Sequence, residues 1–140
     1  MSNVFRRFRE PTGLEFWDNA VEIDRQLFSL LNNEKNVPKR YRYIFTIPIL
    51  NKMDREWDWI VAAQSLYPEG PNAERILEQK KDALQNAVNA NEAIIQALQR
   101  MIYKMPNVDI NKMDRLGELL ERESNLLRST KNGCKIMKSK

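Results

Sequence analysis

Histidine is missing from all 140 residues of the chain. That removes the serine–histidine and cysteine–histidine dyads, the common zinc sites and the Glu-x-x-His di-iron sites of ferritin-like bundles. Cysteine occurs once, at Cys134. No internal disulfide forms, and a lone thiol in a polar segment fits a reducing, cytoplasmic compartment. Four glycines leave little material for tight hairpins. No apolar run approaches the roughly eighteen residues that a membrane span needs. The opening residues Met1–Pro11 also lack the apolar stretch of a secretory signal.

What remains is amphipathic. A chain of 140 residues has the size of one domain. It buries roughly 70% of the surface its unfolded form exposes, enough for one core without covalent staples. The apolar residues recur with helical period. Thr12-Gly13-Leu14-Glu15 reads as a capping box that opens a first helix. Phe16, Ala20, Ile23, Leu27 and Leu30 follow on one stripe, widened by Trp17 and Leu31. A second helix is predicted from Pro38, with Phe45, Ile49, Met53, Trp57 and Ile60 on one side. Pro48 is expected to kink or divide it. A strand at Tyr41–Thr46 is the competing reading, because β-branched and aromatic residues gather there. Tyr67–Pro71 breaks the pattern.

The third helix carries Leu77, Leu84, Val88, Asn91, Ile95, Leu98, Ile102 and Met105 on a heptad seam. Asn91 in that seam reads either as a residue fixing register or oligomer state, or as one meeting water at an edge. Pro106-Asn107 ends the helix. The fourth is predicted from about Asp109 to Thr130, with Met113, Leu116, Leu120 and Leu127 as its stripe. Gly117 within it reads either as a point of close helix approach or as a tolerated cost. The short connections predict an all-α fold, an antiparallel up-down-up-down four-helix bundle spanning residues 12–130. A basic arm (1–11) and a basic flexible tail (131–140) flank it. In that topology arm and tail share one end, and the loop between the first two helices lies at the other.

Charge is sorted along the chain. Residues 1–9 carry +3, residues 35–42 carry +4 and residues 128–140 carry +5, which leaves −8 for the rest of a chain whose net is +4. Basic clusters of this kind favour a polyanion, because each cation that meets a phosphate releases a condensed counterion. Tyr41 and Tyr43 alternate with Arg40 and Arg42, and Phe5 and Phe8 sit among Arg6, Arg7 and Arg9. Aromatics interleaved with cations can stack on unpaired bases. The same rings read equally as core or interface anchors. The nucleic-acid contacts expected from the sequence are Arg6, Arg7, Arg9, Lys39, Arg40, Tyr41, Arg42, Lys131, Lys135 and Lys138. For the tail, phosphate binding and simple solubility are even alternatives.

Carboxylates are the side chains that a magnesium ion would take as ligands. A helical nucleotide hydrolase needs glutamate pairs at i, i+3 on facing helices, and Glu118 and Glu121 alone have that spacing cleanly. Glu123, and Asp54, Glu56 and Asp58 on the second helix, are interleaved with Arg122, Arg55 and Lys52, the pattern of a solvated face. The reading is therefore non-enzymatic, with no cofactor or metal.

The run Val37-Pro38-Lys39-Arg40-Tyr41-Arg42-Tyr43, with Trp59-Ile60-Val61-Ala62-Ala63 closing the same helix, resembles one family. It is similar to the bacterial four-helix proteins encoded in 23S ribosomal RNA intervening sequences. It is closer to their relatives, the accessory variability determinant (Avd) proteins of diversity-generating retroelements. The similarity covers about residues 14–135. The resemblance implies a homopentamer, RNA and DNA binding through basic surfaces, and association with a reverse transcriptase. Lys39, Arg40, Arg42 and the tail lysines are the positions it would assign to nucleic acid. Ser124, Arg128 and Thr130 depart from the glycines and aromatic usual near the end of the family's fourth helix. The alternative function is a helical protein–protein adaptor or oligomeric structural protein.

Overall fold

The computed structural model describes residues 10–137. Among them are four α-helices and no strand: α1 (Glu15–Leu31), α2 (Ile47–Gln64), α3 (Ala73–Lys104) and α4 (Ile110–Asn132). None of these helices is long and apolar enough to cross a membrane. α3 packs most extensively on α2 and then on α4, α4 packs on α1, and α1 touches α2 far less. An open groove of about 660 Å³ lies along α1, lined by Val21, Asp24, Phe28 and Trp57 among others.

The stripes explain the core. Phe16, Ala20, Ile23, Leu27 and Leu30 of α1 are buried, as are Ile49, Met53 and Ile60 of α2 and Met113, Leu116, Leu120 and Leu127 of α4. On α3 the buried face differs from a strict heptad. Ile94 and Met101 are fully buried, while Ile95 and Ile102 are only partly covered. An α-helix has 3.6 residues per turn and not 3.5, so a heptad line drifts around it. α3 also has to serve two neighbours at once.

Two local expectations are corrected, and the alternative left open at Tyr41–Thr46 is decided against the strand. Thr12 is not the N-cap of α1; Leu14 is, with no side-chain cap bond. The cap is instead built in reverse. Asp18, in the first turn, accepts from the Thr12 amide (2.9 Å), the Thr12 hydroxyl (3.0 Å) and the Gly13 amide (3.3 Å). The Thr12 amide, first among these donors, holds the Asp18 carboxyl below its ordinary range. Gly13 at φ 84 makes the turn, a conformation that favours glycine.

Tyr41–Thr46 is not a strand. Lys39–Tyr41 forms a 3₁₀ turn and Arg42–Thr46 a π turn leading into α2. Pro48 thus falls in the first turn of an α-helix, where its missing N–H is harmless. The helix is divided by type at that point. The Thr46 hydroxyl donates to the Leu31 carbonyl (3.0 Å), which ties this junction to the end of α1.

Nor are residues 131–137 a free tail. α4 continues to Asn132, and the Met137 amide donates to the Pro68 carbonyl (2.8 Å). Cys134 packs against the core. The start of α4 follows expectation, with the Asp109 carboxylate accepting from the Lys112 amide (3.2 Å).

Gly117 serves no close approach. A Cβ built there meets nothing within 4 Å. Gly117→Ala is therefore expected to raise stability by about 1 kcal/mol, because alanine is the better helix former. Urea unfolding measures it, and a lower midpoint would show a contact that the open space denies.

Candidate nucleic-acid interface and a buried polar layer

Cross-links between the loops define one end of the molecule. The Asp109 amide donates to Asn36 Oδ1 (3.0 Å), which joins the α1–α2 loop to the α3–α4 loop. Ile44 to Lys52 lie against Ala93 to Arg100. Residues Gln26, Ser29 and Leu30 lie beside Lys112, Arg115 and Leu116. Residues 27–52 and 95–116 thus share this end. They hold nine lysines and arginines against three acids, Glu34, Asp109 and Asp114. The remaining described residues, 10–26, 53–94 and 117–137, hold nine cations against sixteen acids. The described body is electrically polar, with a basic end and an acidic end.

Lys39, Arg40 and Arg42 belong to the basic end. Lys39 faces Glu34 at 3.6 Å, but both side chains are largely exposed and the pair contributes little. Arg40 lies over the Tyr41 ring, 4.9 Å from its centroid. Tyr41 is half-buried and packs near Phe45 (6.4 Å between ring centroids). Its face is thereby occupied. Tyr43, 82% exposed, is the free ring of the pair, and Tyr103 at 89% is another. The same end carries cations that sequence reading did not assign: Lys52, Arg100, Lys104, Lys112 and Arg115. They come from separated helices, so only the tertiary arrangement gathers them.

Lys131 and Lys135 lie elsewhere. The Lys131 ammonium donates to Gln85 Oε1 (2.8 Å), at the acidic end. Nearby, Arg128 pairs with Glu92. Lys80 donates to the Ala63 and Leu66 carbonyls (2.8 and 3.1 Å), where it caps α2. Arg6, Arg7, Arg9 and Lys138, with Phe5 and Phe8, lie outside the described residues.

A second cluster is interior. Asn19, Glu56, Asn91 and Glu123 are all buried, one from each helix. Asn19 Nδ2 donates to Glu123 Oε1 (3.1 Å) and to the Leu119 carbonyl (2.9 Å). Asn91 Nδ2 donates to Ser124 Oγ (2.8 Å) and the Leu120 carbonyl (2.6 Å). Glu56 and Glu123 are thus not part of a solvated face, as the sequence reading had them. The signal was positional. Glu56 falls between Met53 and Ile60, and Glu123 between Leu120 and Leu127, at the core spacing of each stripe.

Burial sets the protonation of this layer. Desolvation, reinforced by the negative charges of Glu123 and Asp24, pushes the Glu56 carboxyl up to about 9. Desolvation likewise pushes Glu123 up to about 8, against the opposing pull of the Asn19 bond and of Arg122. Four buried acceptor oxygens have no partner: both of Glu56, Oε2 of Glu123 and Oδ1 of Asn91. Protonating both carboxyls converts two of the four into hydroxyl donors, which leaves matched numbers of donors and acceptors. Among the described residues no three His, Cys, Asp or Glu side chains gather as metal ligands. Glu118 and Glu121 are exposed on the rim of a groove between α3 and α4.

Comparison with protein-family models, curated proteins and solved structures finds no match.

Proposed function

We propose that the chain is a non-enzymatic, cytoplasmic nucleic-acid-binding accessory protein of the Avd type. In this reading it forms a homo-oligomer and works beside a reverse transcriptase in a diversity-generating retroelement. The observation that carries the nucleic-acid part is the basic end, where nine cations from three helices and a loop face three acids. The retroelement setting rests on the resemblance of residues 37–43 and 59–63. The helices are taken as an antiparallel up-down-up-down bundle. Supporting that order, Leu31 pairs with Thr46, Lys80 with Ala63, Gln85 with Lys131, and Asn19 with Glu123.

A salt titration of binding to labelled single-stranded RNA tests the proposal. If four or five of the cations meet phosphates, affinity falls roughly 50- to 130-fold between about 50 and 200 mM salt. Absence of binding at low salt removes the nucleic-acid role. The adaptor reading would then stand. Its support is the exposed apolar side chains Phe28 (61%), Ile44 (57%) and Val61 (51%).

A further inference from the structure

We infer that the groove between α2 and α3 at the basic end is a seat for an unpaired nucleobase, so that the protein takes single-stranded nucleic acid in preference to duplex. The inference rests on the nucleic-acid reading above and sharpens it.

The groove has a volume of about 270 Å³. Ile44 of the π turn and Pro48 of α2 form one wall, and Ala93 and Ala97 of α3 the other. The two alanines are the reason that it exists. They sit one helical turn apart, and their short side chains leave the space a longer residue would fill. The surface so made is apolar and open on one side. Lys52 stands on one bank and Arg100 on the other. Gln96 lies along the same wall and is exposed, with an amide that both donates and accepts.

Each part matches a part of one nucleotide. An apolar wall takes the face of a base, cations on both banks take the flanking phosphates, and a free amide can meet a base edge. An uncharged peptide or acyl chain needs only the apolar surface and gains nothing from paired cations. The excess of positive charge at this end repels basic partners. A duplex cannot use the groove, because its base faces are stacked inside. Duplex binding is then left to the exposed cations alone, through phosphate contacts that do not depend on the groove.

The test uses the full chain with two labelled probes, a 10-nucleotide oligouridylate and a 20-base-pair RNA duplex, in fluorescence anisotropy. Ala97→Trp fills the groove from within. Ile44→Asn places an uncharged amide at its mouth, on a residue 57% exposed whose change spares the core. Both variants are expected to weaken oligouridylate binding at least 10-fold and, because neither alters the charge of this end, to leave duplex binding within 2-fold. Circular dichroism checks folding, and Ile44→Asn carries the test if Ala97→Trp does not fold. Equal loss for both probes, or no loss for either, overturns the groove and leaves the nucleic-acid reading standing. Failure of the unaltered protein to bind either probe at low salt overturns both.

Discussion

Stability is expected to fall continuously as the pH is raised from about 5 to about 8. Glu56 and Glu123 ionise near their ordinary value of 4.5 when the chain is unfolded, but hold their protons to about 9 and about 8 when folded. Between those limits the folded protein binds more protons than the unfolded chain. The favourable contribution is complete below 4.5, is lost as the pH climbs through the window, and stops changing above about 9. Each carboxyl contributes a slope of about 1.4 kcal/mol per pH unit. One carboxyl alone gives about 4 kcal/mol over three pH units, a large part of the 5–15 kcal/mol that holds a typical domain together.

Urea unfolding at pH 5, 6, 7 and 8 reads the slope directly. Glu56→Gln keeps the shape of the side chain and removes one titration. It is expected to reduce the slope by roughly half and to be more stable than the unaltered protein at pH 8. A flat profile for the unaltered protein between pH 5 and pH 8 is incompatible with a protonated interior layer.

The second large effect concerns the basic end. Arg40→Glu together with Arg42→Glu is expected to lower single-stranded RNA affinity by about 30- to 100-fold at moderate salt. The salt dependence should become shallower by about 1.4 logarithmic units, the share of two phosphate contacts. Lys131→Glu with Lys135→Glu alters the opposite end and is expected to change affinity less than about 3-fold. Equal losses from the two pairs would mean that the polymer does not distinguish the ends, and the assigned surface would be wrong. Thermal melts of both variants separate lost contacts from lost fold, which matters for Arg40 because it covers Tyr41.

Much of the architecture was legible in the amino-acid order. The stripe from Met113 to Leu127 placed α4, and its start was expected within a residue of where it lies. The first turn of α1 was misread because Thr12 and Glu15 have capping-box spacing, yet Asp18 offers two oxygens to three donors and forms the stronger closure. Asn91 of the interior layer stood out in its seam, and its full burial rules out the edge reading; the two glutamates were missed for a chemical reason. A glutamate directly after an arginine looks solvated whatever its spacing, and only its place between two core residues betrays Glu56 or Glu123. The basic end was half visible. Lys39, Arg40 and Arg42 are neighbours in sequence, but Arg100 and Arg115 join them only after the helices have folded back.

That polarity governs how an encounter begins. Near a phosphate-rich polymer, an elongated body with unlike ends feels a torque as well as an attraction. α3, at 32 residues, spans about 48 Å, so the lever is long compared with the screening length of roughly 8 Å at physiological salt. If the proposed nucleic-acid role holds, rotation is expected to precede touching, so that the molecule lands nose first with its opposite pole turned toward bulk solvent.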